Sequence, residues 1–154
     1  MANIVDGLKH YLKKKGVQAE FFEFPENTVA AENSSRAMGV PMEAVVKTMV
    51  FTDGRMPIIA ILQGSKRVDA AKLSVAAGAE VRIAKAREVE SMTNFKVGEV
   101  PPIGHPHGTK IFLDLPVSKM GVVVAGGGST HTLVKMKASD IIALSSAIVS
   151  DISE

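Results

Sequence analysis

The sequence contains no cysteine and no tryptophan. Without thiols it can form no disulfide, no thiolate metal site and no cysteine nucleophile, and a reducing cytoplasm suits such a chain. Aromatic residues are scarce, with 6 Phe and 1 Tyr in 154 residues, which argues against a stacking platform for single-stranded nucleic acid. No apolar run reaches the roughly 20 residues that a membrane-spanning helix needs. The first residues, with Asn3 and Asp6 in an amphipathic segment, do not have the pattern of a secretory signal. A strong charge of one sign is missing too: 18 Lys and Arg against 16 Asp and Glu leave a formal charge of +2, which tolerates a polyanion without requiring one. There is no Gly-x-Ser-x-Gly elbow, no His-Glu-x-x-His and no clear pair of catalytic carboxylates. A hydrolase built on this chain must therefore activate water or a substrate group with positioned backbone donors and a lysine.

What is present suits one globular domain over residues 1–154, with 46% hydrophobic and 22% charged residues. Helical spacing of Ile4, Leu8, Tyr11 and Leu12 predicts a helix over Ile4–Lys15, with Asn3 as its cap and Gly16 past its end. A strand is expected at Ala19–Phe24, a short helix at Ser34–Met38 between Asn33 and Gly39, and a turn at Met42–Ala44 after Pro41. Val45–Thr52 and Met56–Leu62 read as a hairpin joined through Asp53-Gly54. Asp69 and Gly78 bracket a helix at Ala70–Ala77, followed by a strand at Val81–Ile83 and a helix at Ala86–Met92. Strands at Lys110–Leu115, Gly121–Ala125 and Thr130–Met136 precede a last helix from Ser139 through Ala147. The pattern is that of one α/β domain with no repeat and no linker.

Three features stand apart. Lys47 lies in the strand Val45–Phe51, whose two faces are both mostly apolar, so its ammonium either snorkels at a cleft rim or awaits an anion. The segment Asn94–Thr109 carries Gly98, Pro101, Pro102, Gly104, Pro106 and Gly108, which preclude regular structure and favour a rigid, shaped loop. Gly126-Gly127-Gly128, followed by Ser129 and Thr130, bares a patch of backbone between two strands. Such a patch serves a close-approaching ligand or a wide turn. His105 and His107, with Asp114 or Glu99 and a distant His131, offer a weakly specified metal set against the alternative of hydrogen-bonding or exposed imidazoles. Lys13, Lys14 and Lys15 read as a solvated helix face.

Taken together, Lys47 on its strand, the Gly98–Gly104 loop and the triple glycine resemble the YbaK/prolyl-tRNA synthetase insertion-domain family. Met38-Gly39-Val40-Pro41, Gln63-Gly64, Asp69-Ala70-Ala71-Lys72-Leu73 and Lys137-Ala138-Ser139-Asp140 extend the likeness over nearly the whole chain. The resemblance implies a mixed, partly barrel-like β-sheet flanked by helices, and hydrolysis of the ester joining a noncognate amino acid to transfer RNA. It implies that Lys47 holds the terminal adenosine or its phosphate. Gly98, Pro101, Pro102, Ile103 and Gly104 would shape the aminoacyl pocket, and Gly126, Gly127 and Gly128, with Ser129 and Thr130 beside them, would polarise the ester carbonyl or exclude bulkier ligands. The expected partner is the 3′ acceptor end of an aminoacyl-tRNA, with a synthetase as a docking partner and neither DNA nor a membrane involved. No cofactor or metal is expected. Lys47 and the glycine turn would serve equally in a non-catalytic module that binds a nucleotide or aminoacyl-adenosine end.

Overall fold

The computed structural model describes residues 4–154, so the Asn3 cap lies outside the described residues. The helices are α1 (Ile4–Lys14), α2 (Ala31–Met38), α3 (Ala70–Ala77), α4 (Ala86–Thr93), α5 (Leu115–Ser118) and α6 (Ala138–Ser145). The strands are β1 (Ala19–Glu23), β2 (Val46–Thr52), β3 (Pro57–Gln63), β4 (Arg82–Ile83), β5 (Lys110–Asp114), β6 (Val122–Gly126), β7 (Thr132–Lys137) and β8 (Ile148–Ser150).

Local chemistry accounts for several of these bounds. The β2–β3 turn closes because Asp53 Oδ1 accepts the amides of Arg55 and Met56, at 2.8 and 2.9 Å. Thr52 Oγ1 accepts the Gly54 amide and donates to the Met56 carbonyl. Asp69 Oδ1 caps α3 by accepting the amides of Ala71 and Lys72, a contribution of about 1 kcal/mol. Glu88 does double service at α4, accepting the Lys85 amide and gripping Arg82 through both carboxylate oxygens. Those contacts hold its carboxyl at about 2, well below the usual range.

The strands form two sheets, β1-β7-β6, all antiparallel, and β4-β2-β3-β5-β8, mixed, with β3–β5 and β5–β8 parallel. The expected α/β class with a mixed sheet and flanking helices is borne out, but the sheets do not close into a barrel. Among the described residues, one parallel bridge, between Val45 and Val124, joins their backbones. Between the sheets lies the main core, with Ile59, Ile61, Ile111 and Leu113 from the larger sheet. Val123, Ala125, Val134 and Met136 come from the smaller, and Leu8 and Leu12 of α1 seal its side. On the other face of the larger sheet, Ile58, Ala60 and Phe112 pack on Leu73 and Ala77 of α3. Ile58 through Leu62 are all fully buried, as a central strand covered on both faces must be. Each such Ile or Leu stabilises the fold by about 1.5–3 kcal/mol.

Two elements were not foreseen: α5, which starts at Leu115-Pro116, and the three-residue β8. Two helices begin elsewhere than expected. Helix α2 starts at Ala31, with Ala30 rather than Asn33 at its cap, because Asn33 is spent on the Asn27 carbonyl. Helix α6 starts at Ala138, and Lys137 is its cap residue. Asp114 is wholly buried at the end of β5, and its Oδ1 accepts the Ile152 amide at 3.0 Å. That bond fixes the C-terminal segment to the sheet.

Candidate functional site

Strand β2 is paired on both sides only near Phe51 and Thr52. Beyond those residues, toward Val46, β4 no longer flanks it. A cavity of about 380 Å³ opens there, bounded by β2, the start of α2, the 97–100 loop and the β6–β7 turn. Its walls are mostly apolar, including Val46, Val50, Val89, Val100, Ala125 and Leu133. Among the described residues two charged side chains line it, Lys47 and Glu32.

Lys47 is half-buried and makes no ion pair or hydrogen bond through its ammonium among the described residues. Burial, and then the nearby positive charge of Arg67, hold its pKa below the ordinary lysine value. A cation so placed gains from any anion that enters the cavity. Thr48 lines the same wall, and its hydroxyl likewise has no partner among the described residues.

The opposite rim is braced by hydrogen bonds that run across the chain. Thr28 donates both its amide and its hydroxyl to the Thr130 carbonyl, at 2.8 and 3.3 Å, and Phe24 donates its amide to the His131 carbonyl. Ser34 then donates its hydroxyl to the Thr28 carbonyl at 2.6 Å, tying α2 to the same strap. Within the turn, the Gly127 amide donates to the Thr132 carbonyl, and the Ser129 and Thr132 hydroxyls lie 2.6 Å apart. Gly64 allows α2 to approach β3 closely: a Cβ there would stand 2.7 Å from that of Ala31.

Four of the expected site residues meet at this cavity: Lys47, Gly98, Gly126 and Ser129. The others stand back from it. Pro101, Pro102 and Ile103 are buried behind the wall, Ile103 within the main core. Gly104 abuts Leu8 of α1, Gly127 abuts Thr132, and Gly128 abuts Ile4 and Leu8. Thr130 contributes its carbonyl to the strap rather than a side chain to the cavity. Sequence reading missed Thr28, Glu32, Ser34, Thr48 and Thr132. Thr48 could have been found from β2, as the polar residue next to Lys47 on an otherwise apolar strand.

The histidines have separate duties. The His105 Nε2 lies 2.8 Å from the Pro101 carbonyl, so that nitrogen carries the proton, and its ring meets Phe95 edge-on. His131 reaches the Glu26 carbonyl, and His107 is exposed. Among the described residues no three His, Cys, Asp or Glu side chains come together as a metal site, and no helix is long and apolar enough to cross a membrane.

Two facing sheets flanked by helices, with a mostly apolar cavity that holds an unpaired ammonium and borders a glycine turn, define a mixed α/β domain. The chain belongs to the aminoacyl-tRNA editing domain family, whose model matches residues 25–144. It is 27% identical to a crystal structure of "a putative trans-editing enzyme for prolyl tRNA synthetase", with a TM-score of 0.90 over 100% of this chain and 99% of that one. It is 30% identical over 103 residues to the proline–tRNA ligase of Nitratidesulfovibrio vulgaris (strain Hildenborough), covering 66% of this chain but only 18% of the ligase. It is also 23% identical over 120 residues to the uncharacterized protein YwhH of Bacillus subtilis (strain 168), covering 77% and 76% of the two chains.

Proposed function

We propose that this chain is a trans-acting editing hydrolase, a single domain that removes a small amino acid such as cysteine or alanine from a mischarged tRNA, with tRNA(Pro) as the carrier. The observation that carries the reading is the unpaired Lys47 ammonium in a small, mostly apolar cavity. The terminal adenosine or its phosphate answers that charge, and the aminoacyl group occupies the apolar part. A cavity of about 380 Å³ has room for an aminoacyl group, and its mostly apolar walls suit an uncharged side chain. The family and the likeness to a structure named for trans-editing support the same reading.

The reaction is hydrolysis of an ester. Water adds to the carbonyl carbon, the resulting oxyanion is met by the backbone amide of Gly126, and the ribose oxygen leaves with a proton as the C–O bond breaks. The neighbouring ribose hydroxyl or a substrate thiol assists the attack. Acceleration then comes from proximity and preorganised dipoles. The products are a free amino acid and a tRNA ready for recharging. The partner is the acceptor end of the tRNA, met in the cytoplasm by this protein alone or docked on a synthetase.

The test is hydrolysis of Cys, Ala, Ser and Pro attached to tRNA(Pro), beside correctly charged controls, by wild type and Lys47→Ala, with and without chelator. Selective, chelator-resistant loss of one mischarged species, abolished in Lys47→Ala, supports the reading. Binding without turnover across the panel replaces it with a non-catalytic module.

A further inference from the structure

The Glu32 carboxylate is the counterpart of Lys47. It stands in the first turn of α2 and lines the same cavity. It makes no hydrogen bond or ion pair among the described residues. Glu32 is exposed at the rim of the cavity, and its carboxylate and the Lys47 ammonium are not in salt-bridge contact. Both charges are therefore open to a ligand that carries one of each. An amino acid esterified to a terminal nucleotide is such a ligand: a phosphodiester lies on one side of the scissile bond and an α-ammonium on the other, one carbon from the carbonyl. The apolar side chains lining the same cavity, Val29, Val97 and Val100 among them, offer that ammonium no acceptor.

We propose that Glu32 binds the α-ammonium group of the aminoacyl ester and makes a free amine a condition for hydrolysis. This assignment rests on the function proposed above. It implies that N-acylated esters, such as formylaminoacyl- and peptidyl-tRNA, are spared, because acylation removes the charge and adds bulk beside the carboxylate. It also gives Glu32 a part in reactivity, since an ammonium held in its protonated form withdraws electrons from the ester carbonyl.

The test compares one aminoacyl-tRNA with its N-acetylated form, hydrolysed by wild type and by Glu32→Gln. Wild type should cleave the free-amine ester about tenfold or more faster, the size of a charge-assisted hydrogen bond. Glu32→Gln should lower that rate by a similar factor, leave the slow rate on the acetylated ester unchanged, and melt with wild type. Equal hydrolysis of both esters by wild type, or an equal loss on both in Glu32→Gln, overturns the assignment and leaves the editing reading standing. Hydrolysis of neither ester by wild type overturns both together.

Discussion

The Gly98–Gly104 loop and the Gly126–Gly128 turn belong to different parts of the chain and use glycine in the same two ways. In each, the first glycine faces the cavity: Gly98 beside Val29, and Gly126 with the Val100 carbonyl 3.6 Å from where its Cβ would lie. In each, the last glycine faces away from it and presses on Leu8 of α1, at 2.8 Å for Gly104 and 2.9 Å for Gly128. The two segments thus border the cavity at one end and Leu8 of α1 at the other. A glycine-rich motif is divided between shaping a site and letting a helix dock, and proximity in sequence does not say which glycine does which.

That division can be broken by substitution. The largest effect belongs to Gly127→Val. A Cβ there would lie 2.8 Å from Thr132 Cγ2 and 3.2 Å from the Thr132 backbone, and the backbone cannot yield as a side chain can. We expect a loss of about 3 kcal/mol, seen as a melting midpoint lower by about 6–12 °C, with activity falling because the turn is displaced. Gly128→Ala should follow, at about 1–3 kcal/mol, since φ there is +98° and the new methyl would meet Ile4 and Leu8. Shortening Leu8 to alanine in the same chain should recover part of the contact term but none of the backbone term, which chemical denaturation of the double variant can separate.

Gly126→Ala should do the opposite. Its methyl meets only an ordinary contact, so the melting midpoint should hold while deacylation falls, on the order of tenfold, through intrusion on the bound ester. Unchanged deacylation would show that the cavity-facing end of the turn does not touch the substrate.

The smallest effect concerns pH. Burial holds His105 below the ordinary histidine value of 6.5, against the opposing pull of its hydrogen bond to Pro101. The folded ring therefore stays neutral where the unfolded one takes up a proton. Stability from this residue is complete above the unfolded value and is lost as pH falls from there toward the folded one. Wild type should melt lower at roughly pH 5 than at pH 7.5, and His105→Gln should flatten part of that slope.

Local chemistry made much of the fold legible. Asp69 and Gly78 bracket α3 because one supplies a cap oxygen and the other tolerates a left-handed C-terminal residue, and Asp53-Gly54 marks its hairpin by the same kind of short-range logic. What could not be read depends on distant partners. Strand β8 exists because β5 offers an edge and Asp114 holds Ile152. The start of α2 was misread because Asn33 looked like a cap, when its amide is engaged by Asn27. That misreading had a cost at the site, for it left Glu32 in an unassigned stretch. Lys47 was legible because a lone charge inside an apolar strand is conspicuous. Thr28 and Thr132 were not, because only the strap across the turn brings them to the cavity.

The pairing of β1 with β7 also governs when this protein can fold. Ala19 lies opposite Met136, roughly a hundred residues later in the chain, and the entropy of closing so long a loop must be met before the contact returns anything. The hairpin of β2 and β3 can form early, while β1 waits through most of synthesis with Phe21 and Phe22 unpaired. The cavity takes one wall from each sheet, so it is completed late and all at once. A fragment ending before residue 132 would keep Lys47 and Glu32 but have no site to put them in.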